Sequence, residues 1–321
     1  MRAILDIIVP VFGMMAIGWG LGRTRLLSVE GLRGLTNVTF YVLFPALLFR
    51  SMSQVRIGTL EPGILLVFFG GVMVLFALLL PVGRLLGMPA GDRIVFALSG
   101  TFSNGVGIGI PFITYAFGEA GLVPLLMIIA LHSLLMLTLA SFLLEIAGQS
   151  AGRGSGLLIA RLGSAILTML KHPIIPAIFL GLIWSEVIGR VPGFGTPVVV
   201  DQILKALAVA APPCGLIMAG ASLAHVGVKE HWQTAALASS LKLAVLPLIV
   251  WTIGRYVFPL DPLWLTVATL NSALPAGANV YLVAQLYRTG VGLATNVVVI
   301  STGASVFSLS IALLLLGVQG R

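Results

Sequence analysis

Apolar runs of about twenty residues recur along the chain with few charges inside them, which is the length a helix needs to cross a hydrocarbon core of about 30 Å. Ten such runs lie near residues 3–22, 34–53, 62–84, 93–118, 121–145, 172–190, 202–224, 232–257, 262–287 and 295–317. Arg50 closes the second early and Glu186 interrupts the sixth. The first run follows only Arg2, and Ala16 to Arg25 lacks a small-residue cleavage pattern, so it reads as a helix that stays rather than a signal peptide. The pattern predicts an all-α polytopic membrane protein of ten transmembrane helices.

The least apolar stretch, GQSAGRGSG at 148–156, divides the ten runs five and five. The expected organisation is a first five-helix unit over 1–147, a short cytoplasmic linker over 148–171 and a second unit over 172–321. Leu158, Leu162, Ile166 and Leu170 recur at helical spacing beside Arg161 and Lys171, which fits either a helix on the membrane surface or an early start of the sixth run. Connections after odd-numbered runs carry ten Lys and Arg against seven on the other side, with Lys242 inside a run. By the positive-inside rule the odd connections are cytoplasmic and both termini lie outside the plasma membrane.

Composition narrows the function. Of the 321 residues 59% are hydrophobic and 9% charged, where a soluble domain carries about 25% charged residues. The net charge of +8 sits in loops, and no basic stripe is interleaved with aromatics, which excludes nucleic acid as a partner. A lone cysteine, Cys214, forms no internal disulfide.

The two units resemble each other. LLLPVGRLLG (78–87) pairs with VLPLIVWTIGR (245–255), and FPALLFRS (44–51) with PPCGLIMAG (212–220). The clearest pair is the fourth and ninth runs, GDRIVFALSGTFSNGVGIGIPFITYAFGEAG (91–121) and LDPLWLTVATLNSALPAGANVYLVAQLYRTG (260–290). Each starts at an acidic residue, runs apolar, meets small and polar residues with a proline, and resumes. Five spans per unit is an odd number, so the second copy enters the membrane from the opposite face as an inverted repeat.

Gly105, Gly107 and Gly109 precede Pro111, and Pro275, Ala276 and Gly277 precede Asn279. Glycine costs a helix interior about 1 kcal/mol and proline about 3, so both middles are read as helix breaks. Breaks at membrane depth are tolerated only where protein or a watery cavity satisfies the freed backbone. Two such helices are expected to cross near the midplane, with Pro111 and Pro275 each starting a half-helix whose positive end attracts an anion. Ser103, Asn104, Asn271 and Asn279 supply hydroxyl and amide groups for a carboxylate. The competing reading is small-residue packing with interhelical hydrogen bonds; two spans at matched positions favour the site.

Lys242 lies inside the eighth run, where it either snorkels to a membrane face or acts at the site, offsetting substrate charge or standing in for a coupling cation. His132 in the fifth run reads as a proton relay or as a hydrogen-bonded packing residue.

SNGVGIGIPFITYAFGEAGL (103–122) resembles the fourth-helix pattern of the auxin efflux carrier family, an Asn, a Gly-rich turn, a Pro and an aromatic-Gly ending. LPAGANVYLVAQLYRTG (274–290) is similar to its ninth-helix pattern and LKLAVLPL (241–248) to its eighth, lysine included. The resemblance implies ten helices in two inverted five-helix repeats, a scaffold part, and a transport part holding the crossing helices. It also implies transport of small organic anions, auxin in plant relatives and dicarboxylates such as malate or malonate in bacterial ones. The substrate-facing asparagines implied are Asn104 and Asn279, and the crossover prolines Pro111 and Pro275. The long central loop of the plant carriers is absent here, which argues against auxin itself.

The expected function is therefore a secondary transporter of a small mono- or dicarboxylate working by alternating access. Its expected partners are that anion, the lipid bilayer and, as an allowance, a second copy of the chain in a homodimer. No cofactor and no metal are expected. Spans four and nine contain no carboxylate between Arg93 and Gly118 or between Pro262 and Tyr287, which disfavours a sodium site and favours uniport driven by membrane potential over sodium or proton symport. An enzyme is disfavoured because no G-x-S-x-G, H-E-x-x-H or G-x-G-D occurs and Asp92, Asp201 and Asp261 sit at span edges. A channel or receptor is the remaining alternative, since broken helices also line pores.

Overall fold

Proline lacks the donor for a helical hydrogen bond, and its ring clashes with the carbonyl four residues back; in this chain that conflict sets where helices widen. The computed structural model describes residues 4–24, 26–149, 173–191, 195–224 and 232–318. Within it, π turns at Ile4–Ile8, Thr39–Leu43, Gly105–Gly109 and Leu241–Val245 each end two residues before a proline, namely Pro10, Pro45, Pro111 and Pro247. One extra residue per turn displaces the carbonyl that the proline ring would strike.

The described residues form α1 (Leu5–Arg23), α2 (Val29–Met52), α3 (Gly63–Leu85), α4 (Ala90–Ser99), α5 (Gly105–Phe117), α6 (Glu119–Gly148), α7 (Ile174–Val187), α8 (Val198–Leu223), α9 (Trp232–Val257), α10 (Pro262–Ser272), α11 (Asn279–Tyr287) and α12 (Val291–Leu315). Seven of them, α1, α2, α3, α6, α8, α9 and α12, are long and apolar enough to cross a membrane. The other three predicted spans take different forms. The fourth is α4 followed by α5 and the ninth is α10 followed by α11. The sixth is α7 alone, whose 14 residues fall short of the roughly 20 a full crossing needs. The second span begins at Val29 rather than near 34, because the Ser28 hydroxyl caps it by accepting from the Gly31 N–H at 3.0 Å. The linker from 150, with Leu158, Leu162, Ile166 and Leu170, lies outside the described residues.

Close approach of backbones, rather than hydrophobic force, holds helices together in a lipid-like setting. α1 lies along α8, where a Cβ on Gly18 would sit 2.0 Å from the Ile217 carbonyl oxygen and one on Gly220 would sit 1.9 Å from that of Met15. Gly181 of α7 likewise meets the Met52 and Phe49 turn of α2.

Buried apolar side chains form two clusters. One joins α1, α2, α5, α7, α8 and the start of α6 with Val267 and Leu270 of α10 and Leu309 and Leu313 of α12, around Phe44, Leu48, Phe112 and Leu216. The other joins α3, α4, α9 and α11 with the later part of α6, Ala268 of α10 and the start of α12, around Phe68, Phe96, Met136 and Val250. The interrupted segment between α10 and α11 feeds both, Ala273 and Leu274 going to the first and Ala276 to the second.

Gly220→Ala is expected to lose about 1–3 kcal/mol from the overpacked contact, seen as a melting temperature several degrees lower in thermal unfolding of the detergent-solubilised protein. Gly13→Ala, which meets open space, is expected to melt like the wild type.

Candidate functional site

Helix α4 stops at Ser99, and the chain runs through Phe102 and Ser103 to Asn104 before α5 begins at Gly105. α10 stops at Ser272, and the chain runs through Pro275 and Ala276 to α11 at Asn279. The two interruptions lie side by side as an antiparallel bridge between Ser103 and Ala276. Asn104 N–H donates to the Pro275 carbonyl at 2.9 Å and Gly277 N–H donates to the Phe102 carbonyl at 3.2 Å.

Every N–H freed between Ser103 and Gly277 in this bridge then has an acceptor. The Ser103 N–H donates to Nε2 of His132 on α6 at 3.1 Å, and the Ala276 N–H to the Ser301 hydroxyl on α12 at 3.0 Å. Pro275 has no N–H to place. Because Nε2 of His132 accepts, the imidazole is neutral with its proton on Nδ1, and its ring sits 4.5 Å from that of Phe102, with Phe68 also against it. His132 is thus a backbone-holding residue, the second of the two roles expected of it.

Lys242 does not snorkel. It is fully buried on the π turn of α9, and its Nζ donates to the Ser103 hydroxyl at 2.8 Å and to the Ser272 carbonyl at 2.6 Å. The second contact places an N–H donor on the carbonyl end of α10, where the helix dipole is negative. One amino group thereby ties both interrupted segments together.

Asn104 is half-buried and caps α5, its side-chain oxygen accepting from the Gly107 N–H at 3.1 Å. Asn271 is buried with Oδ1 unpaired among the described residues. That oxygen lies where Cβ atoms on Gly105 and Gly109 would approach to 3.2 and 3.6 Å. Asn279 is half-buried, next to the exposed Ala278. Ser103, Asn104, Asn271, Asn279 and Lys242 therefore all belong to one crossing. The backbone N–H groups of Gly105, Val106, Ala278 and Asn279, at the starts of α5 and α11, find no acceptor among the described residues.

The prolines and glycines stand elsewhere than the sequence suggests. Pro111 is the second residue of the regular α-helical part of α5 (Ile110–Phe117), but α5 itself starts at Gly105, and Gly105, Gly107 and Gly109 form its widened first turn rather than the break. Pro275 and Gly277 lie in the break itself, ahead of α11. The half-helix starts six residues ahead of Pro111, at Gly105, because Asn104 is a strong cap and Ser103 already has partners on two other helices.

Ser301 escaped the sequence reading, since one serine among the several of α12 gives no local signal. So did an ion triad in which Arg50 of α2 pairs with Glu119 of α6 at 2.6 Å and Asp201 of α8 at 2.9 Å. Its members are 69 and 151 residues apart.

Apolar spans with two interrupted helices meeting at a polar crossing define a membrane transport protein. The chain belongs to the auxin efflux carrier family: the family model described as "Membrane transport protein" matches residues 3–313. It is also 26% identical over 308 residues to the "Putative malonate transporter" of Rhizobium meliloti (strain 1021), covering 95% of this chain and 93% of that protein.

Lys242→Met leaves the Ser272 carbonyl without its donor, and an orphaned buried acceptor costs about 1–3 kcal/mol; its melting temperature is expected to fall. Lys242→Gln keeps a donor and is expected to melt closer to the wild type. Equal melting of wild type and Lys242→Met would show that the amino group does not hold the crossing.

Proposed function

We propose that the chain is a secondary carrier of a small organic anion, a dicarboxylate of the malonate or malate kind, bound at the crossing and moved by alternating access. The observation that carries this reading is the set of free N–H groups at the starts of α5 and α11, the two helices that follow the bridged segments, with Asn104, Asn271 and Asn279 in or next to those segments. Helix N-termini with unpaired donors suit an anion, and neutral amides bind carboxylate oxygens without an added charge to desolvate. Malonate is favoured among dicarboxylates by the name of the Rhizobium relative.

Lys242 supports a carrier without sodium. Its amino group already fills the position between Ser103 and the Ser272 carbonyl, the place where a coupling cation would bridge the two segments. An anion leaving an inside-negative cell by uniport gains about 2.3 kcal/mol per charge per 100 mV.

The wider architecture proposed is ten spans in two inverted five-helix repeats in the plasma membrane, with both termini outside. The bridge supports the repeat, for each interrupted segment gives one N–H to the helix that follows its own half-helix, Ser103 to α6 and Ala276 to α12. The tight backbone contacts of α1 with α8 and of α7 with α2 fit a scaffold of α1, α2, α7 and α8 against a moving part that carries the crossing.

Transport current on a solid-supported membrane, pulsed with malonate, malate, succinate and indole acetate with and without sodium, tests the reading. A saturable, sodium-independent current for a dicarboxylate is expected. Asn271→Leu is expected to weaken it about ten- to a hundredfold, the cost of one hydrogen bond to a charged group. Absence of current across the panel from folded protein, or current that never saturates, would refute the carrier reading.

A further inference from the structure

A pocket of about 410 Å³ lies outside the crossing, within the size range of small-ligand sites. Its walls come from three elements: Gln54 and Arg56 from the turn after α2, Val123 and Pro124 from the start of α6, and Trp264 from the start of α10. Trp264 precedes Asn271 by seven residues on α10, a rise of about 10 Å, so the pocket stands one layer away from the crossing toward a membrane face.

Each carboxylate named around this pocket has a hydrogen-bond partner of its own. Glu119 and Asp201 are taken by Arg50. Glu186 is taken by Arg190 and by the Ile57 N–H. Glu61 accepts from the Asp261 N–H, and Asp261 caps α10 by accepting from the Leu263 N–H. Arg56 has no carboxylate partner among the described residues, although the Thr59 hydroxyl, bonded to its carbonyl at 2.8 Å, holds the turn that carries it. A guanidinium with five donors in a planar fork matches a carboxylate, and the Gln54 amide adds a donor beside it. The indole of Trp264 with Val123 and Pro124 forms the apolar side.

We infer that this pocket is a second anion site, which binds a small carboxylate through Arg56 and Gln54 and lays its hydrocarbon part against Trp264. The inference rests on the carrier reading for its substrate class and adds a station on the path to the crossing. The occupant touches the turn after α2 on one side and α6 and α10 on the other. It therefore bridges the proposed scaffold and the part that holds the crossing.

Indole fluorescence of the full-length protein in detergent, titrated with malonate and with succinate, tests the site. Emission is expected to change saturably in the wild type and not in Trp264→Phe. Arg56→Gln is expected to raise the midpoint at least about tenfold, as loss of a charge-assisted pair does, and Arg56→Lys to restore part of it. Asn271→Leu is expected to keep the fluorescence response while losing transport current, which separates the two sites. A response that survives Trp264→Phe, or that Arg56→Gln leaves unmoved, overturns the inference. So does a wild type that carries malonate with no change in emission, and in that case the carrier reading stands. Neither current nor emission change would remove both.

Discussion

Hydrocarbon offers no partner to a backbone N–H, so an interrupted membrane helix is tolerated only where protein or a watery cavity meets the freed groups. In the bridge between the two segments four N–H groups are met by bonds of different origin, two between the segments, one to His132 and one to Ser301, while the first N–H groups of α5 and α11 stay open among the described residues. Two tie the interrupted segments to each other, one ties the first segment to α6 and one ties the second to α12. The position of α6 against α4, of α12 against α10, and of the two broken spans against each other all follow from satisfying one short stretch of backbone. Lys242 completes the set by meeting the carbonyl end of α10, the opposite pole from the N-termini proposed to meet the anion.

Much of this could be read from the residues in order. Runs of twenty apolar residues mark spans because length and hydropathy are local, and helix breakers mark interruptions because their cost is local too. The place of the break was less legible. Gly105, Gly107 and Gly109 looked like the gap and instead form a helical turn, since a glycine costs a helix only about 1 kcal/mol and the Asn104 cap with the π turn before Pro111 outweighs it. The destination of Lys242 was not legible at all, for snorkelling and burial differ only in what lies 139 residues away at Ser103. Ser301 and the Arg50 triad depend on similarly distant partners. The α2 start moved because a serine cap at Ser28 extends a helix past the point where its apolar pattern fades.

The two apolar clusters and the charged triad divide the labour of holding the fold. Backbone contacts at Gly18 and Gly220 bind α1 to α8 through surfaces that leave no room to slide. The Arg50 triad joins α2 and α8 to the start of α6 through side chains, and Glu119 in it is 58% exposed. Ion pairs so open to solvent contribute at most about 1 kcal/mol. The elements of the first cluster are therefore joined weakly where the contact is polar and exposed, and firmly where backbones touch at Gly18 and Gly220.

The π turn at Leu241–Val245 has a further effect on α9. One residue inserted into a helix of 3.6 residues per turn rotates everything on one side of it by about 100° relative to the other. Before the turn's end the helix presents fully buried Lys242; after Pro247 it presents Leu248, 62% exposed, on the outside of the bundle and Val250, fully buried, against Gly71 of α3. The two ends of α9 are thus phased independently, one to a polar crossing and the other to an apolar neighbour. Removing one residue from the turn would keep the helix and its composition intact yet turn one of these faces away from its partner.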